Sequence, residues 1–90
     1  MKYSIVIQKL ADIHFKKLQK SGDIASLKKL KQILEALETN PKNGTGNPEQ
    51  LKHNLSGFWS RRLNKKDRLI YQIIEEPDKL VVIISALGHY

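Results

Sequence analysis

The 90-residue sequence contains no cysteine. That excludes a disulfide scaffold, thiolate metal ligation and cysteine nucleophilic catalysis, and it fits a reducing compartment. Long apolar runs are missing as well. The longest, Leu80–Ile84, has the length of a strand and falls far short of the roughly 20 residues that span a bilayer. Met1-Lys2-Tyr3 leads into a short alternating run rather than the apolar core of a signal peptide, so the expectation is a soluble, cytoplasmic chain without membrane contact. The three histidines, His14, His53 and His89, are scattered, with no H-x-x-x-H and no clustered carboxylates, so no metal or other cofactor is expected. Gly44-x-Gly46 runs into Pro48 instead of opening a phosphate-binding helix. Ser56, Asp67 and His89 could be combined on paper into a Ser-His-Asp triad, but their local sequences carry no nucleophile motif. Acidic residues are scarce: nine Asp and Glu stand against 16 Lys and Arg, for a net charge of +7. Such charge on a small body points to a polyanionic partner, nucleic acid more often than anionic membrane.

What is present reads as one domain over residues 1–90, with globular proportions of 40% hydrophobic and 28% charged residues. Tyr3–Ile7 is rich in β-branched residues and predicts a strand. Leu10, Ile13, His14 and Leu18 approximate a helical stripe over residues 9–20, stopped by Ser21-Gly22. Ile24, Leu27, Leu30, Ile33, Leu34 and Leu37 recur at three- and four-residue steps between a capping Asp23 and Asn40-Pro41, and predict a second helix. The two helices would form an αα-hairpin. A Gly- and Pro-containing loop covers residues 40–50, and Leu51–Leu55 reads as a further short strand. Phe58–Leu63, Arg68–Glu75 and Leu80–Leu87, separated by turn residues, predict an antiparallel meander. The expected architecture is α+β: an N-terminal strand and a helical hairpin on one face of a mainly antiparallel sheet.

The positive charge is spread evenly. Residues 1–39 hold eight basic and four acidic side chains, and residues 40–90 hold eight and five. The helical lysines mostly fall off the apolar stripes and read as a solvated face. Arg61 and Arg62 are neighbours in a strand, so one must point under the helices and the other to the open face. Phe58 and Trp59 divide in the same way, and Tyr71 reads as packing. His14 reads as a residue at the core edge, and His53 as a structural hydrogen-bonding group. Glu49, His89, Lys52, Arg61, Arg62 and Arg68 remain as an acid–base set in a basic setting. Metal-free RNA cleavage needs such a set: a base for the 2′-hydroxyl, an acid for the leaving 5′-oxygen, and fixed cations for the charge on the phosphorane.

Three segments and the terminus carry a closer likeness. G-x-G-x-P-E-x-L-K at Gly44–Lys52, L-K-H-N-L-S-G-F-W-S-R-R at Leu51–Arg62, R-L-I-Y at Arg68–Tyr71 and the final His89-Tyr90 resemble the YoeB/Txe branch of the RelE toxin superfamily. The resemblance covers the C-terminal half residue by residue, and the N-terminal half in its strand–helix–helix order. It implies a ribosome-dependent mRNA endonuclease of a type II toxin–antitoxin pair, with the RelE-like fold. By position it makes Glu49 the general base, His89 the general acid and Arg68 the arginine at the scissile phosphate. Tyr90 becomes the terminal aromatic that positions the nucleotide, and Lys52 and Arg62 the basic residues lining the RNA site.

The partners it implies are mRNA on the ribosome, an acidic antitoxin of YefM/Axe type, and a second copy of the chain. A non-catalytic RNA- or ribosome-binding module, or a degenerate toxin that serves its antitoxin structurally, is the alternative on the same scaffold. The chain departs from the family pattern at Gln50, where proline is common after the glutamate. It departs again at Ala11–Phe15, where a tryptophan-rich helix is usual.

Overall fold

The computed structural model describes residues 2–44, 46, 48–52 and 56–87. Among these, the elements are β1 (Ser4–Ile7), α1 (Lys9–Ser21), α2 (Ile24–Leu37), β2 (Glu49–Gln50), β3 (Phe58–Arg62), β4 (Arg68–Ile74) and β5 (Leu80–Ser85). They form a five-stranded sheet in the order β1-β5-β4-β3-β2. The meander β3-β4-β5 is antiparallel, and β2 extends it on one side. On the other side β1 lies parallel to β5, with Ser4 opposite Leu80 and Ile7 opposite Ile83. The architecture is α+β, as expected, with a mixed sheet.

Helix α1 stops where Gly22 turns left-handed at φ 74°, a conformation glycine adopts without a Cβ penalty, and its N–H closes on Gln19 O. Helix α2 starts at Asp23, whose carboxylate accepts the Ser26 N–H at 3.0 Å and the Ser26 hydroxyl at 2.8 Å. Those hydrogen bonds hold the Asp23 carboxyl below its ordinary range.

The core joins Leu30, Ile33 and Leu37 of α2 and Ala11 and Leu18 of α1 to Leu63, Leu69, Tyr71, Val81, Ile83 and Ala86. In α1 the buried stripe is rotated from the one predicted. Ala11 is fully buried, whereas Leu10 and Ile13 remain 51% and 43% exposed. A small residue allows the close approach to the sheet, and apolar spacing alone hid it. Ile24, the first residue of α2, is also exposed, because it lies ahead of the turn that faces the sheet.

The strand limits differ from the prediction for identifiable reasons. β3 ends at Arg62 because Leu63 and Asn64 donate their N–H groups to Asp67 O and close a turn. Asn64 Oδ1 accepts the N–H groups of Lys66 and Asp67 in the same turn. β5 ends at Ser85 because the next two N–H groups go to a side chain instead of a strand. Among the described residues the short strand in this region is Glu49–Gln50. Leu51 and Lys52 are outside any strand, and residues 53–55 lie outside the described ones.

Candidate active site

Register places the candidate residues on one face. Glu49 of β2 stands opposite Ser60 of β3, Ser60 opposite Ile70 of β4, and Arg62 opposite Arg68. Leu69 and Tyr71 point into the helix-covered core, so Arg68 and its cross-strand partners face the open side. There the Arg68 Nη1 approaches Glu49 Oε2 to 3.5 Å and donates to Ser60 Oγ at 3.2 Å. The pairing across strands, not with Glu75 or Glu76 farther along, is what orients the guanidinium. Glu75 instead accepts the Tyr3 hydroxyl.

Exposure divides the group sensibly. Glu49 is 63% exposed and Arg68 only 18%, so the carboxylate can meet a large ligand while the cation sits fixed in the sheet. A carboxylate and a guanidinium at this separation can flank one phosphodiester, the first taking a proton and the second neutralising the phosphoryl oxygens. Arg62 is exposed beside Arg68, and Lys52 is exposed two residues beyond β2. The structure therefore brings Glu49, Arg68 and Arg62 together and leaves Lys52 at their margin. His89, Tyr90 and His53 lie outside the described residues.

Arg61 has the opposite fate from Arg62. It is fully buried and holds the loop that precedes Glu49. Its Nη2 donates to the carbonyls of Asn40 and Asn43, the latter at 2.7 Å, and its Nε donates to the Tyr71 hydroxyl. That hydroxyl in turn donates to Pro41 O at 2.7 Å. Burial raises the Tyr71 pKa, and the adjacent guanidinium opposes the rise. Closer to the site, Arg62 N–H bonds Gly46 O. Gly46 has φ 90°, and a Cβ there would stand 3.0 Å from Arg62 O and 3.3 Å from Ile33 Cδ1. Only glycine lets the loop run this close to β3.

A second network fixes the turn before Arg68. Asn64 Nδ2 donates to Ser26 Oγ at 2.9 Å and to the buried Asp67 carboxylate at 3.0 Å. The Ser26 hydroxyl donates in turn to the Asp23 carboxylate, so the start of α2 is tied to the β3–β4 turn. The reading from sequence missed Ser60, counted Arg61 in the basic set although it is fully buried, and gave His14 no partner. Ser60 was recoverable from strand alternation with Arg62. Arg61 was known to divide from Arg62, but nothing local said which one faced inward. His14, whose Nδ1 accepts the N–H groups of Ala86 and Leu87, had only its place on an apolar helix side as a signal.

Comparisons with known proteins bear on the family and the fold. Residues 8–90 match the family model described as YoeB-like toxin of bacterial type II toxin–antitoxin system. Toxin YoeB of Synechocystis sp. is 44% identical over 69 residues, covering 77% of each chain. Toxin YoeB of Escherichia coli (strain K12) is 39% identical over 64 residues, 71% of this chain and 73% of the other. The YoeB dimer from Staphylococcus aureus superposes with a TM-score of 0.84 at 33% identity over the whole of both chains. The heterotetrameric YoeB–YefM toxin–antitoxin complex from the same organism gives 0.80 at 32% identity, again over both whole chains.

Proposed function

The chain belongs to the YoeB-like toxins of bacterial type II toxin–antitoxin systems, and from that premise we propose that it is an mRNA endonuclease acting in the ribosomal A site. The observation that carries the reading is the Glu49 carboxylate held 3.5 Å from the Arg68 guanidinium on the open face of the sheet. Glu49 takes the proton of the 2′-hydroxyl, and that oxygen attacks the neighbouring phosphorus. The bond to the 5′-oxygen breaks as His89 gives that oxygen a proton, leaving a cyclic phosphate and a free 5′-hydroxyl. Arg68 neutralises the phosphorane, and Arg62 and Lys52 hold the flanking backbone. Tyr90 stacks on the nucleotide. Every step is acid–base or electrostatic, so the reaction as proposed runs without a metal.

The same reading supplies the partners. The Staphylococcus aureus YoeB forms a complex with YefM, and this chain, at +7, would pair with a small acidic antitoxin of that type and self-associate as a dimer. It would act in the cytoplasm, where ribosomes are. Its ribosome affinity should fall steeply with salt, because the contacts are to phosphates.

The test is primer extension on a translated message with purified ribosomes. Discrete ends within codons at the A site are expected with wild type, and their loss in a Glu49→Ala, His89→Ala double variant. Intact message with wild type would overturn the reading. Ribosome binding and slowed translation without cut ends would mark a non-catalytic binding module instead.

A further inference from the structure

Arg62, the last residue of β3, borders a second feature besides the Glu49–Arg68 pair. A cavity of about 340 Å³ opens where the start of α2 meets the β3–β4 turn, and Ser26, Lys29, Arg62, Asn64 and Lys65 line it. Its walls are fixed. The Asn64 amide donates to the buried Ser26 hydroxyl at 2.9 Å, and Asn64 Oδ1 accepts the N–H groups of Lys66 and Asp67, so helix and turn keep their spacing. Lys29 follows Ser26 by three residues on the same side of α2 and is half-buried. Lys65 is exposed in the turn.

Among the described residues lining the cavity three are cations and none is an anion. The two nearby carboxylates are engaged elsewhere. Asp23 accepts from Ser26, Asp67 accepts from Asn64, and both line the neighbouring cavity with Lys66. Lys29, Arg62 and Lys65 make no ion pair with any described residue. Three cations of one sign around a fixed cavity repel one another, and an anion between them removes that cost. The cavity is also tied to the candidate site. Arg62 stands opposite Arg68 in the β3–β4 register, and Arg68 lies 3.5 Å from Glu49. Directly opposed residues are about 5 Å apart, so an RNA strand with its scissile phosphate at Arg68 brings the next phosphate to Arg62.

We propose that this cavity seats the RNA phosphate next to the scissile one, with Lys29 and Lys65 joining Arg62 around it. The proposal rests on the endonuclease reading and adds two residues to it. It gives Lys29, which the sequence placed on a solvated helix face, a ligand of its own. Neither lysine touches the reacting atoms. They hold the message equally in the ground and transition states, so their effect falls on binding.

The test pairs a change in the protein with a change in the message. Full-length wild type and a Lys29→Gln, Lys65→Gln double variant are compared on ribosomes programmed with three messages. One is unmodified, and in the others a neutral methylphosphonate replaces the phosphate on the 5′ or the 3′ side of the scissile one. We expect the double variant to raise KM about tenfold on the unmodified message, with kcat changed less than about twofold. One of the two methylphosphonates should have the same effect on wild type and lose most of it in the double variant, because both changes remove one contact. Lys65→Gln alone, a change to an exposed turn residue, should show the same coupling at smaller size and serves if the double variant fails to fold.

An unchanged KM in the double variant would overturn the proposal. So would wild-type cleavage that neither methylphosphonate affects. Losses that simply add would overturn it too, since the lysines would then act on ribosomal RNA and not on the message. Wild type that leaves the unmodified message uncut would overturn the endonuclease reading itself. Pyrophosphate titration of the isolated protein then judges the cavity alone: NMR shifts at the Leu63 and Asn64 amides that the double variant loses support a phosphate seat, and their absence overturns it.

Discussion

The two faces of the sheet put neighbouring arginines to opposite uses. On the covered face Arg61 is fully enclosed and spends its donors on two loop carbonyls and the Tyr71 hydroxyl. On the other face Arg68 meets an exposed carboxylate and a serine. A buried guanidinium is costly to place and costlier to remove, because its partners stay behind unsatisfied. Arg68 is itself largely covered, but its carboxylate partner is exposed, so solvent screens their ion pair and its contribution to folding is modest. The covered face is thus where the loop is held, and the other face is where the candidate pair Glu49 and Arg68 lies.

The sharpest way to break this contrast is Arg61→Ala. It should cost about 3–5 kcal/mol of folding stability, read from the urea midpoint, because two carbonyls and a phenol lose a buried donor or partner. Arg61→Lys should rescue little of it, since an ammonium cannot reproduce the fork. Arg68→Ala should do the reverse. Ribosome-programmed cleavage should fall about 10²- to 10³-fold, equivalent to about 3–4 kcal/mol at the transition state, with a smaller loss of stability than Arg61→Ala causes. Similar stability losses at both arginines would erase the distinction between the faces.

Gly46→Ala tests the junction between them. Its Cβ would crowd Arg62 O at a positive φ, so we expect about 1–3 kcal/mol of destabilisation and slower cleavage as β2 is displaced. Tyr71→Phe removes one hydroxyl from the Arg61 network and should cost about 1–2 kcal/mol in the same unfolding assay.

The smallest effect is that of pH on stability through His14. The unfolded imidazole takes its proton at the ordinary pKa of about 6.5, and the folded one at a lower pH. Between those values the unfolded state binds more protons, so stability should fall as pH drops below about 6.5. His14→Asn should remove that component from the pH dependence of the unfolding midpoint.

Much of the scaffold was legible because local chemistry and packing agree. Asp23 caps α2, Leu30, Ile33 and Leu37 face the core, and the three strands of the meander lie within the predicted segments Phe58–Leu63, Arg68–Glu75 and Leu80–Leu87. The site was legible through motif likeness at Glu49, Arg62 and Arg68, and the register brings these together. What stayed hidden depends on contacts far apart in sequence. A two-residue strand such as Glu49–Gln50 has no periodicity to detect; it exists because β3 offers it a partner. The inward choice of Arg61 depends on carbonyls about twenty residues earlier. The burial of Ala11 over Leu10 depends on the distance between α1 and β5. Alternation and helical spacing cannot carry that information.

The parallel pairing of β1 with β5 has a consequence for synthesis. Ser4 bonds beside Leu80, and β5 lies between β1 and β4, so it holds both sides of the sheet together. A nascent chain cannot close this sheet until residues 80–85 have left the ribosome and found partners made at the start. Such long-range closure makes folding a late event with a high loop-entropy barrier. The sheet is therefore completed only when nearly the whole of the described chain is available, its first strand waiting for its last.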